Sequence, residues 1–312
     1  MRWLDHREDI GPALRGAVIA LGNFDGFHKG HQAVAGEAID WAHDEGRPSI
    51  IATFDPHPVR FFRPDVPPFR LTTLEQRQEL YLAAGATAML VFHFDKDLAG
   101  TSAEDFITKI LIERFGAYGV VTGGDFTFGQ GAKGNVELLQ GFGAQHGLKS
   151  RVVEAVEQEG VVSSSRIREA LREGDPQLAA ELLTRPFAIR GIVEHGDKRG
   201  RELGYPTANL TIENYLRPKY GIYAVTGRIL ATGQVLKGAA SVGIRPQFEP
   251  PKELLEPHFF DFSGDLYGQE IEVAFHHFLR GEAKFDSLEA LMEQMEKDCD
   301  EARRLLSALP DD

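Results

Sequence analysis

The sequence predicts a doubly wound α/β domain with a parallel sheet, followed by an antiparallel β domain that ends in one helix. In the first half, short apolar runs start about 30–40 residues apart and alternate with helical patterns, which is the spacing of βαβ units. In the second half, apolar runs follow one another without helical patterns until residue 286, which favours an antiparallel barrel or sandwich. We place the boundary so that the domains comprise residues 1–184 and 185–312.

Apolar runs and helical periodicity locate the elements of the first domain. Helical patterns cover residues 31–45 and 103–115, the second with Ser102 as the predicted N-cap. A third helix is predicted to start at Arg166, with its cap among Ser163–Ser165. A fourth opens at Pro176, since proline is tolerated in the first turn of a helix. The predicted strands are 17–22, 49–54, 87–92, 118–123 and 151–156.

The second domain is predicted to contain five strands and a final amphipathic helix. The predicted strands are 187–195, 221–231, 235–243, 256–262 and 270–279. The helix follows Asp286, which together with Glu289 is expected to form its N-terminal cap. The apolar side chains expected on its buried face are Leu288, Leu291, Met292, Met295, Ala302 and Leu305.

The composition excludes several classes of protein. The chain has 312 residues, of which 42% are hydrophobic and 26% are charged, so collagen-like and coiled-coil proteins are ruled out. Its single cysteine, Cys299, excludes an internal disulfide and a zinc site built from cysteines. The longest apolar runs are strand-sized, so no membrane span is predicted. Because the charged start is unlike a signal peptide, we expect a cytoplasmic protein.

The charge of the chain bears on its partners. The formal net charge is −13, from 34 basic and 47 acidic residues. An acidic surface repels phosphate polyanions, so no nucleic-acid partner is expected. A locally basic cleft can still bind a small anion, and we therefore expect small-molecule substrates. We expect the chain to work as a monomer or a weak homo-oligomer.

The strongest local motif is the stretch Gly22-Asn-Phe-Asp-Gly-Phe-His-Lys-Gly-His31, between the first predicted strand and the first helix. Its glycines allow a ligand to approach the backbone closely, and the free N–H groups at a helix start favour anions. His28 and His31 are three residues apart, so their side chains point the same way. This pattern indicates a phosphate-binding turn. Two alternatives stay open, a zinc half-site formed by the two histidines and a turn with a structural role only.

Three further segments accompany this motif: Thr-Phe-Asp-Pro-His-Pro at 53–58, Gly-Asp-Phe-Thr-Phe-Gly at 124–129, and Ser-Ser-Ser-Arg-Ile-Arg at 163–168. In order, the four motifs resemble the N-terminal domain of bacterial bifunctional riboflavin kinase/FMN adenylyltransferases, also called FAD synthetases. Ser165 stands where that family usually has threonine, which keeps the hydroxyl group. The resemblance implies a Rossmann-like nucleotidyltransferase fold for the first domain.

The resemblance also implies roles in adenylyl transfer from ATP to FMN. His28 and His31 would stabilise charge on the α-phosphate, and Arg166 and Arg168 would bind the leaving phosphates. Without the other motifs, two arginines in one helical turn are more typical of a solvated surface. ATP is expected to arrive with Mg²⁺, which needs few protein ligands.

The remaining residues of these motifs are predicted to bind nucleotide or flavin. Aromatic rings beside strand ends can stack on isoalloxazine, although such rings are more often part of the core. Among them, Phe126 and Phe128 are favoured. The predicted binding residues of the first domain are Gly22, Phe24, Asp25, Gly26, Gly30, Asp125, Phe126, Phe128 and Ser164.

A second motif, dense in glycine and basic residues, lies at 196–210. Its stretch Gly-Arg-Glu-Leu-Gly-Tyr-Pro-Thr-Ala-Asn resembles the riboflavin kinase signature, with Tyr205 in place of phenylalanine. The resemblance implies that the second domain is an antiparallel β-barrel riboflavin kinase, with Thr207 and Asn209 contacting the nucleotide phosphates and Mg²⁺. The other residues predicted to bind nucleotide here are Gly200, Arg201, Gly204 and Pro206.

Kinase chemistry requires that a hydroxyl of the ribityl chain lose a proton, for which a carboxylate is suited. Glu256 matches the catalytic glutamate of the family, whereas a glutamate taken alone is more often a surface residue at a strand start. Ser241 and Gln247 replace the usual asparagine and threonine, and we expect both to alter a loop over the kinase site. Thr184 replaces the usual glycine at the domain junction, where we expect an effect on linker geometry.

The resemblance covers residues 16–308 and implies a bifunctional enzyme that makes FMN from riboflavin and then FAD from FMN. Two alternatives are kept. The first is an FMN adenylyltransferase whose kinase domain is impaired by Ser241 and Gln247. The second is a flavin-binding protein without catalysis, against which the presence of His28, His31 and Glu256 argues, because binding alone does not require them.

Overall fold

The computed structural model describes residues 2–195, 205–245 and 252–309. The chain divides into two compact units. The first contains Met1–Pro67 and Thr73–Ser163, and the second contains Pro68–Thr72 and Ser164–Asp312. The helices that follow Ser163 pack within the second unit. The predicted domains divide instead at residues 184 and 185, and that boundary stays a prediction.

Strands and helices alternate along the first unit. In chain order they are β1 (Arg2–Asp5), β2 (Val18–Leu21), α1 (Lys29–Asp44), β3 (Ser49–Asp55), α2 (Pro58–Phe62), α3 (Leu74–Ala83), β4 (Ala88–His93), α4 (Lys96–Gly100), α5 (Ala103–Asp105), β5 (Gly119–Gly123), α6 (Val136–Gln145) and β6 (Lys149–Val153). All five predicted strands of this half are confirmed. β1, α2, α3, α4 and α6 have no predicted counterpart.

The six strands form one parallel sheet with the order β1-β4-β3-β2-β5-β6. β2 lies between β3 and β5, so the order of the strands reverses between β2 and β5. This arrangement confirms the doubly wound fold. In such sheets, ligands bind outside the carboxyl ends of the strands at the point of reversal.

Both faces of this sheet are buried, which explains the continuous apolar runs in the sequence. All four residues of β2 are buried. Ile19 and Leu21 pack in one apolar cluster, whereas Val18 and Ala20 pack in the other. A parallel strand covered on both sides has no position for a polar side chain that faces water.

The helix predicted at 103–115 has a confirmed cap and an unexpected interior. The Oγ of Ser102 accepts a hydrogen bond from the Asp105 N–H at 3.0 Å and so caps α5. From Phe106 to Arg114 the helix continues as a π-helix, in which each hydrogen bond spans five residues. Apolar periodicity alone does not separate this form from an α-helix.

The second unit opens with two helices and continues almost entirely with strands. In chain order its elements are α7 (Ser164–Glu173), α8 (Pro176–Leu183), β7 (Phe187–Ile192), β8 (Leu210–Thr211), β9 (Gly221–Ile229), β10 (Val235–Arg245), β11 (Lys252–Phe259), β12 (Glu270–Gly281) and α9 (Leu288–Leu306). The two predicted helices α7 and α8, the five predicted strands and the final helix are confirmed, and β8 has no predicted counterpart.

These six strands form an antiparallel sheet with the order β7-β12-β9-β10-β11-β8. The two ends of the sheet meet where the Glu194 N–H donates to the Asn209 carbonyl at 2.8 Å. The sheet is therefore a nearly closed barrel, which is one of the two architectures that the sequence pattern favours.

A short segment from the first half of the chain is part of the second unit. Pro68–Thr72 clusters with the barrel although its sequence neighbours belong to the first unit. The Arg70 N–H donates to the Asn214 carbonyl at 3.3 Å, and the Leu216 N–H donates to the Arg70 carbonyl at 2.8 Å. Backbone hydrogen bonds thus hold this segment like an additional short strand.

The predicted cap of the final helix is wrong by one residue. Ser287, not Asp286, is the N-cap of α9, and its Oγ accepts a hydrogen bond from the Ala290 N–H at 3.1 Å. Serine and aspartate are similarly good N-caps. The two adjacent candidates therefore cannot be ranked from the sequence alone.

The predicted buried face of α9 is also wrong at its N-terminal end. Leu288 and Met292 are 51% and 38% exposed, whereas Ala302 and Leu306 are buried against Ala224 and neighbouring residues of the barrel. Apolar periodicity gives the direction of a face but not the length of helix that a sheet covers.

An ion pair anchors the middle of α9 to the barrel. The buried carboxylate of Asp298 accepts hydrogen bonds from Nε and Nη2 of Arg280 on β12, at 2.9 and 2.6 Å. Gln294 donates to the same carboxylate at 2.9 Å. Because this buried charge is paired and hydrogen-bonded, it can face the barrel between apolar contacts.

Thr184 ends α8 in a conformation that favours glycine. Its φ and ψ are 65° and 15°, in the left-handed region. A β-branched side chain is strained there because its Cβ approaches the following carbonyl. This finding agrees with the glycine that the related motif has at this position. The replacement of that glycine by threonine therefore affects the backbone conformation of the domain junction.

We predict that Thr184→Gly stabilises the protein by about 1 kcal/mol, since release of the left-handed strain exceeds the added freedom of the unfolded chain. Thr101→Gly is the matched control, because Thr101 also ends a helix but has a φ of −69°. Thermal unfolding of the full chain should show a higher Tm for the first variant and a lower Tm for the second. A lower Tm in both would contradict strain at Thr184.

Candidate active sites

The Gly22–His31 motif lies at the point where the strand order of the first unit reverses. Gly22 directly follows β2, and Gly124 directly follows the neighbouring β5. Parallel strands bring both carboxyl ends to the same edge of the sheet. The first predicted motif and the loop at 124–129 are therefore adjacent at this edge.

His28 and His31 come together at the start of α1. His28 is buried and is the N-cap of the helix, because its Nδ1 accepts a hydrogen bond from the His31 N–H at 3.3 Å. The two imidazole rings stack with their centroids 3.6 Å apart and an interplanar angle of 21°. Two heteroaromatic rings thus lie at the positive end of a sixteen-residue helix, which is suited to binding an anion.

Two glycines of the motif leave room for the rings beside them. A Cβ on Gly30 would lie 3.2 Å from Cε1 of His28, and a Cβ on Gly22 would lie 2.9 Å from Cε1 of Phe24. Larger residues at either position would displace a ring. The glycines therefore preserve the packing of the turn as well as access to its backbone.

The turn between β2 and α1 is strained and firmly packed. Phe24 and Phe27 are both buried and have φ values of 48° and 47°, which is uncommon for residues with a Cβ. Their rings contact Tyr81 of α3 at centroid distances of 6.2 and 4.9 Å. Phe24 also meets the ring of His31 edge to face at 5.2 Å. Packing against α3 thus holds the turn in its strained form.

A buried ion pair also stabilises the turn between β2 and α1. Asp25 and Arg77 are 2% and 3% exposed, and Nη2 of Arg77 lies 3.0 Å from Oδ1 of Asp25. Nη1 of Arg77 donates to Oγ1 of Thr53 at 2.9 Å, and that hydroxyl donates to the Asn23 carbonyl at 2.7 Å. The predicted binding residues Phe24 and Asp25 therefore shape the turn, and direct contact of their side chains with a nucleotide stays a prediction.

Arg77 and Thr53 belong to this candidate site but are not indicated by the sequence. Arg77 is 52 residues from Asp25 along the chain, and a single arginine within an unpredicted helix carries no local signal. Thr53 is part of a recognised motif, but nothing in that motif indicates its bond to the Asn23 carbonyl. Oδ1 of Asn23 is a buried acceptor with no hydrogen-bond partner among residues 2–195, 205–245 and 252–309. A bound ligand could supply its donor.

In the loop after β5, the ring of Phe126 is more accessible to a ligand than the ring of Phe128. Asp125 is exposed and Phe126 is half-buried, whereas Phe128 is 6% exposed. The Phe128 ring stacks on Phe126 at 5.7 Å and packs against Phe106 at 5.4 Å. Phe128 therefore belongs to the core in this structure, and flavin stacking by either residue stays a prediction.

A second set of aromatic rings lies at the carboxyl edge of the sheet. Phe61 and Phe62 of α2 contact Phe94, the residue after β4, at centroid distances of 5.3 and 5.8 Å. Phe62 is 63% exposed. An exposed phenylalanine supported by other rings is a suitable surface for a planar ligand.

The arginines of the 163–168 motif lie on α7 in the second unit. The helix begins at Ser164, two residues before the predicted start at Arg166. Arg166 and Arg168 are half-buried. Nε of Arg168 donates to the Phe69 carbonyl at 2.9 Å, and its guanidinium carbon lies 4.9 Å from the centroid of the Phe69 ring. Arg168 is thus engaged with the 68–72 segment rather than being a fully solvated charge.

Glu256 lies in the middle of β11 and is half-buried, so it is not at a strand start. Its cross-strand partner on β10 is Ser241. Ala239 and Ala224 share this face of the barrel and pack against α9. Glu256 therefore lies on the outer face of the barrel, beside the part that α9 covers.

Thr207 and Asn209 run alongside Glu256. β11 pairs Leu255 with Leu210, and the Ala208 N–H donates to the Pro257 carbonyl at 2.9 Å in the same register. Continuing this register places Asn209 directly opposite Glu256. Asn209 is 9% exposed and Thr207 is half-buried, so the sequence-predicted metal ligands and the predicted base are brought together.

The structure describes only part of the motif at 196–210. Pro206 is exposed, and its carbonyl lies 2.9 Å from Nδ1 of His258. Tyr205 contacts the ring of His258 with the centroids 5.3 Å apart. Four further predicted positions, Gly200, Arg201, Gly204 and Gln247, lie outside the described residues.

The prediction that Ser241 alters a loop is wrong. Ser241 is part of β10 and is paired with Glu256 on one side and with Ile222 on the other. Its position in a motif that also contains glycine and proline suggested a loop, but the strand continues to Arg245. The exchange at this position therefore lies beside the predicted base itself.

A clustered metal site and a membrane-spanning helix are both absent from the described residues. No group of three or more His, Cys, Asp and Glu side chains in the described parts of the chain is arranged to hold a metal ion. Among the helices within those parts, none has the length and apolar character needed to cross a membrane.

Comparison with known proteins places these features in families. The model of the FAD synthetase family matches residues 11–166, and that of the riboflavin kinase family matches residues 183–306. A bifunctional riboflavin kinase/FMN adenylyltransferase of Pseudomonas fluorescens is 39% identical over 299 residues, covering 95% of each chain. One from Bacillus subtilis is 38% identical over 298 residues, covering 94% of this chain and 93% of the relative.

A solved structure has the same fold over nearly the whole chain. It is described as a macrolide-efflux protein from Streptococcus pneumoniae and is 30% identical, with a TM-score of 0.85. The match covers 97% of this chain and 99% of that one. Each of the two units therefore has a counterpart in an experimentally determined structure.

We predict that Arg77→Met lowers the free energy of unfolding by about 3–5 kcal/mol, because it leaves the Asp25 carboxylate buried without its ion-pair partner. Adding Asp25→Asn should restore part of the loss. Lys109→Met is the control, since it removes a cation from an exposed pair with Asp105 in the same unit and should leave the Tm almost unchanged. Equal shifts for Arg77→Met and Lys109→Met in denaturant unfolding would contradict the role of the buried pair.

Proposed function

Because this chain belongs to the family of bifunctional riboflavin kinase/FMN adenylyltransferases, we propose that its two candidate sites divide the two reactions of FAD synthesis. The chain phosphorylates riboflavin to FMN and transfers the adenylyl group of ATP to FMN. The observation that carries the division is the pair of family matches, at 11–166 and 183–306, each of which contains one of the sites. The site around His28 is assigned to adenylyl transfer, and the site around Glu256 is assigned to the kinase.

In the adenylyl transfer, an oxygen of the FMN phosphate attacks the α-phosphorus of ATP, and the bond to the bridging oxygen of the β-phosphate breaks. FAD and pyrophosphate are the products. The attacking oxygen is already ionised and needs no base, so catalysis rests on positioning and on stabilisation of charge. His28 and His31, at the positive end of α1, stabilise the charge that builds on the α-phosphate.

Arg166 and Arg168 bind the leaving phosphates in this proposal, which for these two residues rests on the 163–168 motif. For the flavin ring we propose Phe62 together with Phe126. Phe62 has the larger exposed fraction, and both follow strands at the carboxyl edge of the sheet. The buried ring of Phe128 stacks on the ring of Phe126 and holds it in place.

In the kinase reaction, a hydroxyl oxygen of the ribityl chain attacks the γ-phosphorus of ATP, and the bond to the bridging oxygen of the β-phosphate breaks, releasing ADP. The hydroxyl proton must be accepted in the same step. Glu256 accepts it in this proposal, because its carboxylate lies half-buried on the outer face of the barrel beside Asn209.

The donor set beside Glu256 fits Mg²⁺. A hydroxyl from Thr207 and an amide oxygen from Asn209 are hard oxygen ligands, and Mg²⁺ keeps several waters rather than requiring a cage of carboxylates. We propose that these two residues hold the ion together with the ATP phosphates. When bound, Mg²⁺ supplies neutralisation of the charge on those phosphates.

The sequence also predicts the partners, the location and the oligomeric state of the protein. ATP and flavins are the small-molecule partners. A cytoplasmic location, a monomeric or weakly oligomeric state and the lack of a nucleic-acid partner remain predictions, and they rest on the composition and the net charge of −13. Size-exclusion chromatography with light scattering tests the oligomeric state directly.

We predict that His28→Ala reduces FAD formation from FMN by about 10²–10³, since it removes one group that stabilises charge in the transition state. FMN formation from riboflavin should be unchanged. His28→Asn separates this role from helix capping, because asparagine is a good N-cap but lacks the imidazole. Chromatographic assay of both products should show the same loss in both variants. Recovery of FAD formation in His28→Asn would instead assign the residue a capping role only.

We predict that Glu256→Gln slows FMN formation by about 10²–10⁴, the usual contribution of a general base. FAD formation from supplied FMN should continue at the normal rate and shows in the same sample that the chain is folded. The control is Glu253→Gln, on the same strand, where Glu253 pairs with Arg217 at 2.7 Å instead of lying opposite Asn209. Normal phosphorylation by Glu256→Gln would remove Glu256 from the mechanism.

A further inference from the structure

Ser241 lies directly across the sheet from Glu256, and the hydrogen-bond pattern shows the type of pair they form. The Phe260 N–H donates to the Lys237 carbonyl at 2.8 Å. In an antiparallel ladder, hydrogen-bonded pairs recur at every second residue. Stepping along the register of β10 and β11 from that pair leads to Ser241 and Glu256. They therefore form a hydrogen-bonded pair, with both side chains on the same face.

Asn209 occupies the other side of Glu256. The Ala208 N–H bonds to the Pro257 carbonyl at 2.9 Å, so the next pair, Asn209 and Glu256, is of the non-hydrogen-bonded type. Side chains lie closer together in such pairs. The carboxylate of Glu256 is thus placed between an amide on one strand and a hydroxyl on the other.

These three groups have complementary hydrogen-bonding capacities. An ionised carboxylate only accepts, a serine hydroxyl donates one proton, and an asparagine amide has one end that donates and one end that accepts. If the amide oxygen of Asn209 is used for Mg²⁺, as in the proposed function, the hydroxyl of Ser241 is the neutral donor on the opposite side of Glu256. Directly opposite residues are within reach of such a bond.

We propose that Ser241 is a positioning residue of the kinase site, whose Oγ–H donates to one carboxylate oxygen of Glu256 and directs the other oxygen toward the ribityl hydroxyl. This inference rests on the proposed role of Glu256 as the base. In this proposal Ser241 contributes to the phosphorylation reaction and does not impair the kinase domain. The related motif has asparagine at this position, which also carries a donor, so the exchange preserves the capacity to hold the carboxylate.

The test compares Ser241→Thr with Ser241→Val, which have nearly the same shape but differ in the hydroxyl. With riboflavin and Mg-ATP as substrates of the full chain, Ser241→Val should lower kcat for FMN formation about tenfold, as expected for one hydrogen bond to a charged group. The KM for riboflavin should change less than twofold, because the bond acts on the base and not on the substrate. Ser241→Thr should retain most of the activity. FAD formation from supplied FMN should be normal in both variants and reports on folding.

Two outcomes would overturn the proposal. Equal kcat values for the threonine and valine variants would show that the hydroxyl is not needed, and a change confined to KM would assign Ser241 to substrate binding. Combining Ser241→Val with Glu256→Gln should give no loss beyond that of Glu256→Gln alone, since residues that act through one another are not additive. If Glu256→Gln itself is fully active, the proposed base fails. If Glu256→Gln is impaired while Ser241→Val is normal, only the role of Ser241 fails.

Discussion

Backbone hydrogen bonding between strands is the constraint on which both candidate sites depend. In the first unit, parallel pairing of β2 with β3 and β5 brings their carboxyl ends to one edge, and the His28 turn and the 124–129 loop must meet there. In the second unit, antiparallel pairing aligns Asn209, Glu256 and Ser241 in one row across three adjacent chain segments. The side chains proposed to perform chemistry are therefore placed by strand register, and their own contacts only refine that placement.

The two candidate sites place different demands on the protein, because the reactions proposed for them differ at the attacking oxygen. A phosphate oxygen is already ionised, so the first site needs a rigid anion cradle, and the strained turn between β2 and α1 is held by Tyr81 and by the buried pair of Asp25 and Arg77. A hydroxyl oxygen carries a proton, so the second site needs an oriented carboxylate. The rigid turn suits the first task, and the proposed base on a strand suits the second.

The sequence predicts most of the fold because the buried strands are short, apolar and regularly spaced, and it predicts the first site because one motif contains most of its residues. It fails where the decisive contact is distant in the chain or depends on the extent of an element. Arg77 is one example, since its partner Asp25 lies far away in sequence. Ser241 is another, because only the true length of β10 shows that it is opposite Glu256. At α9, adjacent residues of equal capping ability made the choice of Ser287 over Asp286 unpredictable.

The most direct test of two separate sites is complementation between inactive halves. Glu256→Gln and His28→Asn would be mixed with riboflavin and Mg-ATP, and riboflavin, FMN and FAD would be separated by chromatography over time. Each variant alone should fail to convert riboflavin into FAD at the normal rate. The mixture should form FMN first and FAD afterwards, because FMN made by one chain can be used by the other. Loss of both half-reactions in either single variant, so that the mixture also makes no FAD, would contradict the account of two independent sites.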